Sequence, residues 1–299
     1  MKYRNLGKSG LKISELSFGS WVTFNKQVDK NLAERMFGTC LDAGINFFDN
    51  AEGYERGESE VVMGKALKAL NNPRDSYCVS SKVFFGAKEN PLPTQMGLCR
   101  KHITEACHQA LERLQVDYLD LYFCHRADPE TPISETVWAM HNLVTQGKIL
   151  YWGTSEWSAD EITEAYEFAY SNHLTPPSME QPQYNLLDRN RFEKEYSPLY
   201  KKYGLGTTTW SPLASGALTG KYLDGIPEGS RASLTGYEWL KKSMVESDRG
   251  QERMARVTSL VPIAEKLNVS MSQLAIAWCL LNKNVSTVIL GASKMEQLE

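Results

Sequence analysis

Short runs of β-branched and aromatic residues alternate with longer stretches of mixed apolar and polar residues along almost the whole chain. The short runs have the length and composition of β-strands, and the longer ones have the periodicity of helices that pack on one face. Eight strands are predicted, beginning at Glu15, Ile45, Ser76, Asp117, Lys148, Ser178, Leu205 and Val285. Strands that alternate with helices form a parallel sheet, and about eight such units in a chain of this length favour a closed barrel.

Helices are predicted between the strands, with two of them before the last strand, beginning at Asp29, Gly57, Thr94, Pro132, Ser158, Arg191, Arg253 and Ser272. The first helix has Asp29 as a candidate N-cap and Gly44 as its stop. Residues 3–14 have the pattern of a β-hairpin that turns around Lys8-Ser9-Gly10. A polar stretch over residues 222–250 predicts a long loop after the seventh strand, and such loops are usually functional or disordered.

The predicted fold class is therefore α/β, a (β/α)8 TIM barrel with an N-terminal β-hairpin and a long loop insertion after strand seven. No linker rich in proline or glycine divides the 299 residues, so one domain covering residues 1–299 is expected.

Composition and charge exclude several classes of function. The formal net charge of -3 argues against general nucleic-acid binding, which usually needs a basic surface. The six cysteines are scattered without a CxxC motif, which predicts reduced thiols and a cytoplasmic location. The first residues lack the apolar core of a signal peptide, and no run approaches the roughly 18 apolar residues of a membrane span, so no membrane insertion is expected.

Candidate chemistry lies where the strands end, because the carboxyl ends of barrel strands form the active-site face. Asp49, Lys82 and His125 follow strands two, three and four, and Tyr54 lies in the loop after Asp49. Tyrosine has a pKa of about 10, and a nearby ammonium lowers it, so Lys82 would activate Tyr54 while Asp49 orients Lys82. His125 would donate a hydrogen bond or pass a proton.

Each of these four residues also has an ordinary structural explanation. An Asp–Lys pair in a barrel is often a salt bridge, a single histidine is often a satisfied core residue, and a loop tyrosine is usually at the surface. Their joint placement at consecutive strand ends favours the functional interpretation. A hydrolase or a metal centre is disfavoured, because the sequence contains no GxSxG, no HExxH and no Cys/His ligand spacing.

The sequence resembles the aldo-keto reductases, most closely the branch that contains the β subunits of voltage-gated potassium channels and their bacterial and plant relatives. The resemblance extends over essentially the whole chain and is carried by FDNAEGYERGESEVVMG from Phe48, then by SSKV, DLYFCHR, WGTSEWS, EQPQYN, WSPLASGALTGKY, SRASLTGYEWL and AIAWCLLNKNVSTVILGAS. It implies NADPH-dependent reduction of small aldehydes, with ketones as further substrates. By this resemblance the catalytic tetrad is Asp49, Tyr54, Lys82 and His125.

The resemblance also implies how NADP(H) binds without a Rossmann or P-loop motif, neither of which is present. Ser155 and Gln181 would hold the carboxamide, and Trp210 would stack on the nicotinamide. The other implied cofactor contacts are Trp21 and Asp49 near the nicotinamide, Ser211, Leu213 and Ser215 along the pyrophosphate, Lys221 and Arg231 in the covering loop, and Gly291, Ser293 and Gln297 around the adenosine phosphate. A cationic loop with a Ser/Gln pair suits a 2′-phosphate, so NADP is favoured over NAD.

A regulatory subunit is the alternative function, with NADPH bound, little turnover and a potassium channel as the partner. His125 favours the enzyme, because the mammalian channel subunits carry Asn at this position. The resemblance further implies a homotetramer. Trp21, Phe84, Phe85 and Trp157 would either line an apolar substrate pocket or pack in the core, and small aldehydes, sugar-phosphate aldehydes, methylglyoxal and aromatic aldehydes all remain open as substrates.

Overall fold

The computed structural model describes residues 1–21, 30–228, 230–233 and 247–299. Eight parallel strands form a closed barrel in the order of the chain, and the last strand pairs with both the first and the seventh. An antiparallel hairpin precedes the barrel. These observations confirm the predicted α/β barrel and its N-terminal hairpin. The strands are β1 (Tyr3–Asn5), β2 (Lys12–Ser14), β3 (Leu16–Gly19), β4 (Phe47–Asp49), β5 (Cys78–Val83), β6 (Leu119–Cys124), β7 (Ile149–Thr154), β8 (Met179–Glu180), β9 (Gly206–Thr209) and β10 (Thr287–Leu290).

Helices flank the barrel as predicted. Within the described ranges they are α1 (Lys30–Asp42), α2 (Glu58–Leu70), α3 (Arg100–Leu114), α4 (Ile133–Thr145), α5 (Ala159–Ser171), α6 (Ser197–Tyr203), α7 (Asp248–Leu267), α8 (Met271–Leu281) and α9 (Met295–Leu298). Ser158 caps α5 by accepting the Glu161 N–H, and Gly44 takes the positive φ of 84° expected of a stop after α1. The candidate cap Asp29 lies outside the described residues. Among the helices described, none has the length and apolar character needed to cross a bilayer.

Four predicted elements differ from the structure in their boundaries, and two of them are the third helix and the long loop. The third helix begins at Arg100 and not at Thr94, because Gly97 has a left-handed φ of 77° and Asp128 holds the Leu98 N–H at 2.7 Å, which fixes an irregular loop ahead of the helix. The predicted loop over residues 222–250 ends too late, because α7 begins at Asp248, where Ser247 accepts the Gly250 N–H as an N-cap.

The sixth barrel strand is also shorter than predicted. Only Met179 and Glu180 form the regular ladder, with one further bridge between Gln183 and Trp210. Pro182 lies between these two regions and has no N–H to donate, which ends the regular pairing. The helix expected from Arg191 is divided at Tyr196 into a five-residue π-helix and α6.

The barrel interior changes from apolar to polar along its axis. Side chains alternate along a strand, so residues two apart point to the same face. Phe47, Leu121 and Phe123 pack inside with Leu6 and Ile13 of the hairpin, which closes the lower end of the barrel. The next inward positions toward the carboxyl ends carry polar groups, and these form the floor of the site.

Candidate active site

Strand alternation brings the predicted polar residues to one place. Asp49 stands two positions after Phe47 on β4, Lys82 is near the end of β5, and His125 stands two positions after Phe123 at the end of β6. These three strands are neighbours in the barrel. Their inward side chains therefore meet at the carboxyl end, as the sequence predicted.

The Lys82 ammonium is fully buried and uses all three of its N–H donors. Nζ lies 2.6 Å from Asp49 Oδ2, 2.7 Å from the backbone oxygen of Asn50 and 3.1 Å from Tyr54 Oη. Three donors meeting three acceptors fix the position of this charge, because any movement breaks a hydrogen bond in a site shielded from water. The lysine is therefore a fixed cation beside the phenol.

Asp49 is held on its other side by two neutral donors. The Ser80 hydroxyl donates to Oδ1 at 2.8 Å, and the Gln181 amide nitrogen donates to the same oxygen at 3.0 Å. Gln181 Nε2 also lies 3.2 Å from Thr208 Oγ1. Ser80 was not predicted as a site residue, although its spacing of two from Lys82 places it on the same inward face. Both oxygens of Asp49 are thus engaged, which orients the carboxylate toward Lys82.

Tyr54 begins a short 3₁₀ turn that leads into α2, and the following residues hold an unusual backbone conformation. Glu55, Arg56 and Gly57 have φ values of 46°, 58° and 88°. Only glycine adopts this left-handed region readily, so tertiary contacts must hold the other two residues there. One such tie is the Tyr54 hydroxyl, which accepts a hydrogen bond from Lys82.

The pKa of Tyr54 differs from the expectation that Lys82 lowers it. Burial is the largest influence and raises the pKa above the usual value of tyrosine, the charge of Lys82 lowers it, and the charge of Asp49 raises it. The pKa is raised overall, because burial destabilises the phenolate by more than the charge of Lys82 stabilises it. Tyr54 is therefore a neutral phenol with a proton to give, beside a cation that stabilises the anion once the proton has left.

His125 is a neutral imidazole packed against aromatic rings. Its ring lies edge-to-face with Tyr54, with 5.8 Å between centroids, and with Phe85 at 5.1 Å. Burial, followed by the charges of Lys82 and Arg126, holds its pKa well below the usual value. Nδ1 is buried and has no hydrogen-bond partner among the described residues. A neutral imidazole next to the phenol can bind an oxygen atom through its one N–H.

A carboxylate beneath the loop after β5 fixes one wall of the site. Glu52 Oε1 accepts the backbone N–H groups of Phe84 at 2.8 Å and Gly86 at 2.9 Å. Glu52 Oε2 lies 3.4 Å from His102 Nε2, and His102 Nδ1 lies 2.8 Å from the oxygen of Gly97. Burial opposes protonation of this imidazole, but the hydrogen bond and the charge of Glu52 outweigh it, so the pKa of His102 is raised. Neither residue was predicted from the sequence.

The two residues expected to bind a carboxamide lie together. Ser155 and Gln181 are both buried, and the Ser155 hydroxyl donates to the Gln181 backbone oxygen at 2.9 Å. The Ser155 oxygen still has lone pairs, and the Gln181 amide oxygen accepts no hydrogen bond within the described ranges. Two acceptors in one place suit the NH₂ group of a carboxamide.

Trp210 is held by a glutamate that the sequence did not single out. The indole N–H donates to Glu156 Oε1 at 3.0 Å, and Glu156 Oε2 pairs with Arg191 at 2.8 Å. Glu156 itself has a left-handed φ of 60°, and its N–H donates to the buried carboxyl group of Glu180. This chain of contacts gives the half-buried indole one orientation, as a stacking surface requires. The only sequence signal was an acidic residue directly after Ser155.

The turn after Trp210 has a shape that suits a phosphate. Leu213 is near the right-handed region and Ala214 follows with a left-handed φ of 47°, a combination typical of anion-binding turns, but the Ala214 N–H here donates to the Ser211 backbone oxygen at 2.9 Å. The Ser211 hydroxyl accepts the Ser215 N–H at 3.2 Å. A Cβ atom on the next residue, Gly216, would lie 2.7 Å from Cε of Lys221, so this lysine lies across the turn. Because these N–H groups already have acceptors within the turn, a pyrophosphate here would rely on the neighbouring lysine for its attraction.

The remaining predicted cofactor residues follow β10, the neighbour of β9. The side-chain oxygen of Gln297 accepts hydrogen bonds from the Ser293 N–H at 2.9 Å and hydroxyl at 3.1 Å, and a Cβ on Gly291 would meet no atom within 4 Å. These residues and the turn after Trp210 occupy adjacent strand ends. Arg231 lies in a short 3₁₀ turn, but its side chain is outside the described residues.

The four aromatic residues expected at a substrate pocket separate into two groups. Trp21 and Phe85 are exposed at 39% and 45%, and Phe84 packs edge-to-face on Phe85 with 5.0 Å between centroids. These three lie beside the ends of β3 and β5. Trp157 is only 1% exposed and belongs to the core cluster shared by the barrel and its helices, which favours packing for this residue.

The chain is similar to known proteins over its whole length. Residues 15–299 match the sequence profile of the aldo/keto reductase family. A protein of Oryza sativa subsp. japonica named probable voltage-gated potassium channel subunit beta is 50% identical over 300 residues, covering 100% of this chain and 89% of the relative. A protein of the same name from Arabidopsis thaliana is 49% identical over 301 residues with the same coverage. The chain belongs to the aldo/keto reductase family.

Proposed function

We propose that this protein is an NADPH-dependent reductase that converts small aldehydes, and ketones, into alcohols. The observation that carries the proposal is the buried chain Asp49–Lys82–Tyr54, which ends in a neutral phenol at the mouth of the barrel. Family membership supports an oxidoreductase role with a nicotinamide cofactor.

In the proposed reaction, the residues of the chain donate a proton and a hydrogen bond to the carbonyl oxygen. Bound NADPH supplies the hydride that the carbonyl carbon accepts. Tyr54 gives its proton to the carbonyl oxygen, and the phenolate left behind is stabilised by the Lys82 ammonium 3.1 Å away. Asp49 keeps that ammonium in place, and the neutral imidazole of His125 donates a hydrogen bond to the same oxygen.

The proposed cofactor site consists of the carboxamide acceptors Ser155 and Gln181, the anchored indole of Trp210 and the turn at residues 211–216. Preference for NADPH over NADH is supported by Lys221, which lies across that turn, and by the Ser293–Gln297 pair at the neighbouring strand end. Trp21, Asp49, Arg231 and Gly291 complete the proposed set.

The test compares wild type with Tyr54→Phe, using para-nitrobenzaldehyde and methylglyoxal and following the loss of NADPH absorbance. We expect turnover in the wild type and its near-complete loss in the variant, while NADPH affinity, measured by fluorescence quenching, stays nearly the same. Tyr151→Phe, on a half-buried tyrosine outside the site, is the control. Parallel assays with NADH test the cofactor preference. Turnover that survives in Tyr54→Phe would exclude Tyr54 as the proton donor.

A second candidate function is supported by the names of the two plant relatives, which are called potassium channel β subunits. In this proposal the protein binds NADPH tightly, turns over slowly and assembles with a channel. Tight NADPH binding with no turnover of any aldehyde in the assay above would favour it. We further propose a cytoplasmic homotetramer, for which light scattering of the purified protein is the direct measurement.

A further inference from the structure

One half-buried arginine differs from the others of its kind. In the described part of the chain six arginines are half-buried, and five of them pair with a carboxylate within 4 Å, as Arg4–Glu15, Arg74–Asp120, Arg113–Glu60, Arg191–Glu156 and Arg253–Asp188. The sixth is Arg126, which has no carboxylate partner among the described residues. A guanidinium that is half out of water without a counter-ion is an unfavourable arrangement unless a ligand completes it.

Arg126 stands at the mouth of the proposed active site. It directly follows His125, and its guanidinium carbon lies 5.9 Å from the centroid of the Phe85 ring, which itself packs on the His125 ring. Burial is the largest influence on the pKa of both Tyr54 and His125, and the charge of Arg126 contributes a smaller lowering to each. One of its five N–H groups donates to the backbone oxygen of His125, which leaves four for other partners.

The neighbouring charges do not neutralise Arg126. Lys82 is paired with Asp49, and His102 lies against Glu52. Asp128 is the acidic side chain nearest in sequence, and its oxygens accept hydrogen bonds from Leu98, Glu130 and Thr131. Among the described residues the Arg126 guanidinium therefore has no ion-pair partner, and an unpaired positive charge at the mouth attracts anions.

We propose that Arg126 is a specificity-determining residue that selects carbonyl substrates bearing a carboxylate or phosphate group. The proposal rests on the proposed reductase function, because it assumes that the carbonyl lies at Tyr54. The planar guanidinium matches both anions with two parallel hydrogen bonds, whereas a neutral aldehyde leaves its donors unpaired. Arg126 would thus bind the far end of the substrate while Tyr54 acts on the near end.

The experiment uses two pairs of substrates that differ in charge. Para-carboxybenzaldehyde is compared with methyl para-formylbenzoate, and glyceraldehyde 3-phosphate with glyceraldehyde. In the wild type we expect kcat/KM to favour the anionic member of at least one pair by about ten-fold or more, the effect of one charge-assisted bidentate contact. The pair with the larger ratio identifies carboxylate or phosphate as the preferred group.

Arg126→Gln should bring the ratio of kcat/KM between the anionic and the neutral member of each pair down to about one, mainly through KM for the anionic member, whatever the lost charge does to turnover through Tyr54. Arg126→Lys keeps the positive charge but lacks the planar guanidinium, so it should keep part of the preference for the anionic substrate. Arg256→Gln, on an exposed position of α7, makes the same change in net charge and should have no effect. NADPH affinity should be equal in all four proteins.

Several outcomes would overturn the proposal. These are equal kcat/KM for charged and neutral substrates in the wild type, a preference that survives Arg126→Gln, and a loss of NADPH affinity in that variant, which would assign the guanidinium to the cofactor. If no aldehyde is reduced at all, the proposed reductase function fails, and calorimetry with para-toluate then tests Arg126 without turnover. If para-toluate binds the wild type and not Arg126→Gln, the proposed anion site stands. If para-toluate does not bind the wild type, the proposed anion site is wrong.

Discussion

Glu180→Gln is expected to change how the stability of the protein depends on pH. Glu180 is fully buried on β8, where one carboxyl oxygen accepts the Glu156 N–H and the other accepts the Thr154 hydroxyl, both at 2.5 Å. Burial is the largest influence on this group and raises its pKa to about 8. The folded protein therefore keeps a proton on Glu180 at neutral pH that the unfolded chain has released.

The sign and size of the effect follow from this difference in bound protons. A pKa that is raised on folding gives stability that is fully present below the unfolded pKa of about 4.5 and is lost as pH rises toward about 8. In that window the folded state holds one more proton, so the free energy of unfolding falls by about 1.4 kcal/mol per pH unit. Between about pH 5 and about pH 7 the loss from this group is about 3 kcal/mol.

The glutamine variant keeps the shape and an acceptor oxygen but does not titrate. Urea unfolding followed by circular dichroism at about pH 5, 6 and 7 gives the free energy of unfolding of each protein. Other titrating groups contribute equally to both, so the difference between wild type and Glu180→Gln isolates this one carboxyl. Glu167→Gln, which removes an exposed carboxylate, is the control.

We expect the free energy of unfolding of the variant, relative to that of the wild type, to rise by about 3 kcal/mol between about pH 5 and about pH 7. The reasoning would be refuted by a difference between wild type and variant that stays constant with pH, because Glu180 would then carry the same proton in both the folded and the unfolded state.

Three further perturbations test other contacts. Lys82→Met leaves the buried Asp49 carboxylate without its cation and should lower the free energy of unfolding in urea by about 3 kcal/mol. Adding Asp49→Asn should recover part of this loss, and simple addition of the two effects would contradict a coupled pair. Glu156→Gln should weaken the anchorage of Trp210 and reduce NADPH affinity about ten-fold in fluorescence titration, whereas equal affinity would show that this anchor does not serve the cofactor. Gly57→Ala forces a Cβ into a left-handed backbone and should lower stability by about 1 to 2 kcal/mol, unless the turn relaxes at no cost.

The barrel and the meeting of Asp49, Lys82 and His125 could be predicted because both follow from periodicity. Side chains alternate along a strand, so a polar inward residue at its end lies at the carboxyl end of a parallel barrel, independently of the loop conformations. Loop geometry has no such rule. The start of α3 depends on a contact from Asp128, thirty residues away, and on the left-handed Gly97, neither of which leaves a periodic signal.

The electrostatics of the site were predictable in part only. The sequence indicated that Lys82 lies near Tyr54, but the net pKa of the phenol depends on how deeply it is buried, which no local pattern records. Glu156 and Arg126 escaped prediction for a related reason. Glu156 acts on a tryptophan 54 residues away. Arg126 is distinguished by having no carboxylate partner among the residues that the structure describes, a property that only its three-dimensional neighbours define.

The hairpin that closes the lower end of the barrel also bears on the handedness of the product. With Leu6 and Ile13 packed against the apolar floor, a ketone approaches Tyr54 from the loop side. Its oxygen would meet the fixed hydroxyl of Tyr54 while the anchored indole of Trp210 holds the nicotinamide on one side, so the hydride would reach one face of the carbonyl. Under the proposed function, an unsymmetrical ketone would therefore give one enantiomer of the alcohol in excess.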